Sequence, residues 1–269
     1  MTNTCGCLSV VVPAYNEETR LGPSLETIIG YLETRRAGWE LIVVDDGSSD
    51  RTVSVAKANG HSNLRLIELG VNQGKGAAVR RGVLESRGCL VLVSDADLST
   101  PIEELESLLP RLKDGPLVIA SRDMPDSDLV VPQSGLRRLS GRTFRLFVTL
   151  AGVRGVRDSQ CGFKLVHGDL ARQLFGISVT DGFAFDVELI WLVQRSGHAV
   201  VEVGVSWSDS TGSRVSMLTD PISMLLEMAR FRLHHRRTDP LFVPGPRVAC
   251  LERDQAKPKW VLALDGDQR

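Results

Sequence analysis

Apolar residues come along this chain in short runs, separated by stretches in which they recur every three or four positions. Leu8 to Val12, Leu41 to Val44, Leu64 to Leu69, Leu90 to Val93 and Leu117 to Ala120 are the runs, rich in Val and Ile. Runs this short read as strands, and those apolar throughout as strands buried on both faces. Pro13 is expected to end the first one, because proline offers no further ladder donor. Between the runs, Leu21, Leu25, Ile28, Ile29 and Leu32 share one helical face. Further helices are predicted from about Thr52 to Ala58, after the polar turn Asp45 to Asp50, and from Ala77 to Ser86. Thr100-Pro101-Ile102-Glu103 has the order of a cap, a first-turn proline and a capping-box glutamate. Strands alternating with helices predict an α/β fold, a Rossmann-like, mostly parallel central sheet with helices on both faces.

The pattern changes after Ala120. Asp123 to Gln133 is polar with two prolines and reads as a mobile loop. A helix is predicted from Leu136 to about Ala151, with Arg138, Arg142 and Arg145 beside an apolar stripe of Phe144, Phe147, Val148 and Ala151. Arg157 to Phe163 reads as a polar turn, Ala171 to Phe175 as a short helical turn and Phe185 to Arg195 as a full helix. Val200 to Val205 returns as a strand, and Pro221 to Leu233 is an amphipathic helix running into His234-His235-Arg236-Arg237. The expected organisation is one domain over residues 1–237, with a first half at 8–122 and a second at 123–237. Residues 238–269 read as a tail with little core.

Composition narrows the classes. A chain of 269 residues buries a full core, and 32 Lys+Arg against 33 Asp+Glu give a net charge of -1, so nothing global points to nucleic acid. Five cysteines, Cys5, Cys7, Cys89, Cys161 and Cys250, are scattered without metal-ligand spacing, which fits reduced thiols in an intracellular protein without a structural metal. No signal-peptide pattern opens the chain, and no apolar stretch reaches the length of a spanning helix.

The candidate chemistry lies where strands end. Ligands of open α/β sheets gather at the strand carboxyl ends, the expected place of Asp45, Asp46, Asp95, Asp97 and Arg122. Asp95 and Asp97 share a side of an extended segment, and a hard cation such as Mg2+ or Mn2+ would need one or both together with diphosphate oxygens. The plainer reading is a loop with Asp97 near the next helix start. A carboxylate at Asp45 or Asp46 can accept from a uracil N3–H or a ribose hydroxyl, and caps and turns explain the pair equally well. Gly74-Lys75-Gly76 lacks the full phosphate-loop pattern, so it is no sign of an ATPase, although Lys75 at a helix start can meet a phosphate or the nucleotide's edge. Arg122 and the helix arginines can clamp a phosphate or form a solvated face, and the apolar stripe beside them suits an amphiphile with an anionic head. Asp186 and Glu188 are too close together to read as glycosidase carboxylates. His167 and His198 read as ordinary polar residues, and no serine sits in a nucleophile elbow.

Taken together, these residues resemble the family 2, GT-A type inverting glycosyltransferases, and more closely the dolichyl-phosphate beta-glucosyltransferases and the prokaryotic polyprenyl-phosphate glycosyltransferases. The likeness spans about Leu8 to Arg232. It rests on Val12-Pro13-Ala14-Tyr15-Asn16-Glu17-Glu18, Val44-Asp45-Asp46-Gly47-Ser48-Ser49-Asp50, Asn72-Gln73-Gly74-Lys75-Gly76 and Asp95-Ala96-Asp97. Arg157 to Lys164 and Ala184 to Leu189 match the narrower group. The resemblance implies that Pro13, Tyr15 and Glu17 flank the nucleoside while Asp45 or Asp46 addresses the uracil. It implies that Asp95 and Asp97 are the metal-and-diphosphate motif, with Asp97 the direct ligand. Arg122, with Arg138 or Arg142, is expected near donor or acceptor phosphates, and Gln160, Lys164 and Asp186 on the acceptor side. Unlike the eukaryotic members, this sequence shows no amino-terminal anchor, and it lacks the carboxyl-terminal spanning helices of other polyprenyl-phosphate transferases. Attachment to the cytoplasmic face of a membrane would then come from amphipathic surfaces such as Leu136 to Ala151 or Pro221 to Leu233, whose basic flank suits an anionic leaflet.

The reaction this implies moves glucose from UDP-glucose to a polyprenyl monophosphate, with Mg2+ or Mn2+ as cofactor and UDP as second product. A phosphomonoester acceptor needs cationic positioning rather than a base, whereas a hydroxyl acceptor would need a carboxylate such as Asp186. The competing expectations are the same fold using GDP-mannose or a UDP-N-acetylhexosamine, perhaps with a soluble acceptor, a nucleotidyltransferase, and a nucleotide-sugar-binding protein without turnover. A homo-oligomer is compatible with all of them.

Overall fold

The computed structural model describes residues 7–35, 38–125, 127–129, 147–208, 220–237, 251–253 and 260–262. The first half runs β1 (Cys7–Ala14), α1 (Leu21–Glu33), β2 (Gly38–Asp45), α2 (Thr52–Asn59), β3 (Leu64–Glu68), α3 (Lys75–Glu85) and β4 (Leu90–Val93). A segment of short helical turns around α4 (Leu105–Leu108) leads to β5 (Leu117–Ser121). The second half adds β6 (Asp128–Leu129), helical residues 147–150 (α5), β7 (Lys164–His167), α6 (Gly168–Ile177), α7 (Phe185–Arg195), β8 (Val200–Gly204), β9 (Ser206–Trp207) and α8 (Asp220–His234). Leu251–Arg253 (β10) and Trp260–Leu262 (β11) pair antiparallel, so the stretch expected as a plain tail carries a hairpin. The predicted helix arginines Arg138, Arg142 and Arg145 lie outside the described residues.

Seven strands form one sheet in the order β3-β2-β1-β4-β7-β5-β8. All neighbours are parallel except β7, which runs antiparallel to both β4 and β5. Alternate residues of each strand point to opposite faces, and both faces are buried. Val10, Val12, Leu41, Val43 and Leu92 pack with α1 and the 102–113 segment, while Val11, Ile42, Val44, Val91 and Ile119 pack with α3, α6, α7 and α8. The apolar runs have this double burial as their cause.

Four further expectations are corrected. Pro13 does not end β1, which continues to Ala14 in register with Asp45. Val11 O accepts from Ser94 N and Ala14 O from Asp46 N, so by alternation Pro13 faces the β4 side, where that ladder has finished and no donor is needed. The capping box of Thr100 and Glu103 does not form: the turn at Ile102–Glu104 has no side-chain cap, Thr100 Oγ1 lies 3.7 Å from Cys161 Sγ, and the neighbouring Glu104 accepts from Ser206 N at 2.9 Å. The polar loop after Asp123 includes β6, paired in parallel with β9. Cysteine usage also differs from the reduced set expected, for Cys161 is a buried free thiol but Cys89 is disulfide-bonded. No helix among the described residues is long and apolar enough to cross a membrane.

Candidate active site

The sheet grows outward from β1 to β3 on one side and continues from β4 on the other, so the strand order switches between the parallel β1 and β4, the position at which open α/β sheets form their ligand crevice. Tyr15, Asn16 and Glu17 leave β1 there. Asn16 turns the chain in the left-handed region (φ 53°) and ties it to the loop after β2, donating its N–H to Ser48 Oγ at 2.8 Å and accepting from Ser49 N at 2.8 Å. Pro13 is buried inside the strand, while the Tyr15 ring is exposed at the rim. Glu17 takes a bidentate pair from Arg20 at 2.6 Å, and Arg20 Nη1 stands 3.9 Å from Asp97 Oδ2.

The adjacent acids at the end of β2 are used differently. Both Asp46 oxygens accept backbone N–H groups from the loop before α3, Gln73 at 2.7 Å and Gly74 at 2.9 Å. Burial pushes the Asp46 carboxyl up in pKa, against these two bonds. Asp45 spends one oxygen on Gly47 N and Ser48 N, at 3.2 and 3.1 Å, and its other oxygen is buried without a partner. Buried acceptors are normally satisfied, so an orphaned carboxylate oxygen at a crevice is a place for a donor from a ligand.

The glycines of Gly74-Lys75-Gly76 serve packing. A Cβ on Gly74 (φ 104°) would stand 2.4 Å from Asp181 O, and one on Gly76 2.6 Å from Thr180 O. The 179–184 loop is thus pressed onto the start of α3, where Ala77 N donates to Asp181 O at 3.0 Å. Glu188, fully buried on α7, holds that loop by accepting Val179 N and Thr180 N, both at 2.9 Å, and meets His235 Nε2 at 2.7 Å. Glu227 of α8 accepts Ala184 N at 3.1 Å.

This close seating aims Lys75 at the end of β4, where its Nζ lies 2.6 Å from Asp95 Oδ1. Burial pushes Asp95 up, but the Lys75 charge and hydrogen bond, with Lys164 and Arg122 behind them, outweigh it and hold the carboxyl below its usual range. Burial likewise works against the Lys75 ammonium, and the Asp95 and Asp186 charges more than offset it. Asp97 accepts Ser99 N at 3.0 Å and keeps 22% side-chain exposure. Leu98 beside it is in the left-handed region at φ 49°, a conformation that costs a leucine energy and that the surrounding turn imposes.

Arg122, at the end of β5, is held by Asp158 in a fork of 2.7 and 2.8 Å and lies over the Trp207 ring at 5.4 Å. Burial opposes the Arg122 charge, and Asp158 more than compensates, raising its pKa; Asp158 is correspondingly held below the usual carboxylate range. Glu202 of β8 in turn accepts Asp158 N at 2.9 Å. Gln160 N donates to Asp158, and its side-chain Nε2 is buried without a partner. Lys164 and Asp186 form a 2.7 Å ion pair beneath the rim, with side chains only 1% and 4% exposed. Burial pushes Asp186 up, against the Lys164 and Lys75 charges.

The structure therefore gathers Asp45, Asp46, Lys75, Asp95, Asp97, Arg122, Gln160, Lys164 and Asp186 about one end of the sheet, with Tyr15 and Glu17 at its edge. Lys164 and Asp186 sit as a buried pair rather than as open side chains. Sequence reading missed Arg20, Asp158, Glu202 and Glu227, and saw Glu188 only as a helix residue. Asp158, Glu202 and Glu227 act through partners 36 to 44 residues away, which no local pattern announces, whereas Arg20 pairs with Glu17 only three residues before it and Glu188 with backbone eight and nine residues before it.

Among the described residues, no three His, Cys, Asp or Glu side chains are grouped to hold a metal by themselves. Asp95 and Asp97 offer hard oxygen donors of the right class, their side chains 35% and 22% exposed. That fits a Mg2+ or Mn2+ ion which takes one or two carboxylates and completes its shell from phosphates and water.

Residues 9–173 match the family described as glycosyl transferase family 2. The dolichyl-phosphate beta-glucosyltransferase of Dictyostelium discoideum is 37% identical over 85% of this chain and 74% of its own length. That of Drosophila melanogaster is 40% identical over 83% of this chain and 72% of its own. Among solved structures, glucosyl-3-phosphoglycerate synthase from Mycobacterium tuberculosis, in complex with Mn2+, UDP and glucosyl-3-phosphoglycerate, superposes with a TM-score of 0.62 at 24% identity, over 83% of this chain and 80% of that one. Mannosyl-3-phosphoglycerate synthase from Rubrobacter xylanophilus gives 0.61 at 20% identity, over 97% and 87%. These two share the GT-A fold.

Proposed function

Because the chain belongs to glycosyl transferase family 2, we propose that it moves glucose from UDP-glucose to a polyprenyl monophosphate of the dolichyl type, with inversion at the anomeric carbon. The products are a beta-linked polyprenyl-phosphate glucose and UDP. One observation carries the reading: Asp95, just past the end of β4, meets the Lys75 ammonium at 2.6 Å, with the Lys164–Asp186 and Arg122–Asp158 ion pairs beside it. Such a rim suits a reaction in which one phosphate group leaves and another attacks.

On the donor side, Tyr15 offers an exposed ring for the base and Asp45 its unpartnered oxygen for the uracil N3–H. A divalent cation, when bound, offsets charge developing on the departing diphosphate, and Asp97 with Asp95 would hold it. Lys75 supplies a fixed positive charge at the same place. On the acceptor side, a phosphomonoester has its second pKa near 6, so it arrives largely as the dianion and needs no general base. Arg122 orients it, preset by Asp158, and the Gln160 amide can donate to it. The Lys164–Asp186 pair acts from below, adding to the field around Asp95.

The test is turnover of UDP-glucose, UDP-N-acetylglucosamine and GDP-mannose with a short-chain polyprenyl phosphate, with the product mass measured. UDP-glucose should give polyprenyl-phosphate hexose and UDP, and chelation of divalent cations should remove most of the rate. Preference for GDP-mannose, or transfer to soluble phosphomonoesters alone, would overturn the assignment.

A further inference from the structure

Helix α8 has an outward face that its inward packing does not explain. Met224, Met228, Phe231 and, just past its end, His235 are buried against the domain. At roughly 100° per residue, Leu226 and Leu233 fall on the side opposite that set. They are 68% and 64% exposed, so they are no overflow of the core. Leu150, 72% exposed, precedes Ala151, whose carbonyl accepts from Arg232 of α8 at 2.5 Å.

Charge on this face has one sign. Arg230 and Arg236 are exposed along the helix, Arg232 is exposed on its flank with its guanidinium turned to Ala151 O and the Trp191 ring, and Arg195 is joined to the helix end by a 3.2 Å bond to Arg236 O. The one acid between Ser223 and Arg236 is Glu227, turned inward to Ala184 N. Two leucines framed by arginines, with no carboxylate among them, form an amphipathic surface suited to lie in the headgroup region of a bilayer. A second copy of this chain would bring arginines against arginines, whereas anionic lipid supplies the missing countercharge.

We propose that the outward face of α8 docks on an anionic membrane leaflet, with Leu226 and Leu233 entering the interface between the arginines. The proposal extends the lipid-acceptor reading above by naming the surface that meets the lipid phase. It stands on the helix itself and can fail separately.

The experiment is co-sedimentation of the full chain with phosphatidylcholine vesicles, alone or containing phosphatidylglycerol, for the wild type, Leu226→Ser/Leu233→Ser and Arg230→Glu/Arg236→Glu. The wild type should prefer the anionic vesicles and lose that preference at high salt. At roughly fivefold per basic residue at the surface, reversing the arginines should weaken anionic-vesicle binding by about twentyfold or more, and the leucine variant should lose about tenfold or more on the same scale. Both variants should keep the wild-type melting temperature and the wild-type rate on a detergent-dispersed short-chain acceptor. Equal binding to both vesicle types, or variants that bind as the wild type does, would overturn the proposal. So would a concentration-dependent dimer in light scattering that Leu226→Ser/Leu233→Ser abolishes, since the face would then belong to a second copy. Vesicle binding without any turnover would leave the docking face standing and remove the transferase reading instead.

Discussion

At the scale of single residues, Asp45 and Asp46 show why neighbouring carboxylates need different accounts. Asp46 fastens the end of β2 to the loop before α3 through two backbone N–H groups, whereas Asp45 has a buried oxygen to spare. Asp46→Asn puts an amide N–H2 against one of those donors, and leaving a buried N–H unsatisfied costs about 1–3 kcal/mol. The variant should therefore melt early. Asp45→Asn should keep most of its stability but bind UDP about tenfold to a hundredfold more weakly, the range for a hydrogen bond to a charged group. Titration calorimetry with UDP, beside thermal melts of both variants, decides the matter. A reversed pattern would make Asp46 the nucleotide contact and Asp45 the brace. The positions of both acids were legible, because a polar turn follows an apolar run. Their division of labour was not, since it depends on Gln73 and Gly74, 27 and 28 residues further on.

Among the elements of the seven-stranded sheet, β7 is the one the apolar pattern hid. Phe163, Leu165 and Val166 would have read as a buried run but for Lys164, which pairs in register with Val93 on one side and Ile119 on the other. Its ammonium is tolerated there because α7 opens with Asp186, 2.7 Å away. The signal that this lysine belongs in a strand lies 22 residues downstream, as the two residue numbers give, beyond any periodicity window. Buried ion pairs are costly to break singly and often neutral to replace together. Lys164→Met should destabilise the fold by about 3–5 kcal/mol in urea titrations, while Lys164→Met/Asp186→Leu should recover most of the loss. Additive losses in the double variant would mean that the charges hold β7 through other partners. By contrast β4 and α7 were read to the residue: β4 is apolar throughout, and in α7 the buried acids Asp186 and Glu188 fall in the first turn, ahead of an unbroken apolar run from Leu189 to Val193.

For the molecule as a whole, the question is whether the donor and acceptor halves are separable. Chains longer than about 150 residues often unfold through intermediates, and a boundary near Arg122 would invite one here. The sheet argues otherwise. β7, from the second half, lies between β4 and β5 of the first, and β8 extends the sheet beyond β5. Arg172 of α6 donates to Gly88 O at 3.2 Å, and a Cβ on Gly115 would stand 2.7 Å from Ala199 O, so loops of one half are fitted to the backbone of the other. Removing either half strips β7 or β5 of its ladder partners and exposes both core faces at once. Hydrogen exchange in increasing urea should therefore bring the slowest amides of β2 and α7 to one opening free energy with one denaturant slope. If α7 instead opens at clearly lower free energy, with a smaller slope, the second half is a unit of its own. Arg122, which hangs on Asp158 and through it on Glu202 of β8, would then lose its support whenever that unit opened, and the phosphate rim would come and go with local unfolding rather than stand ready in the native state.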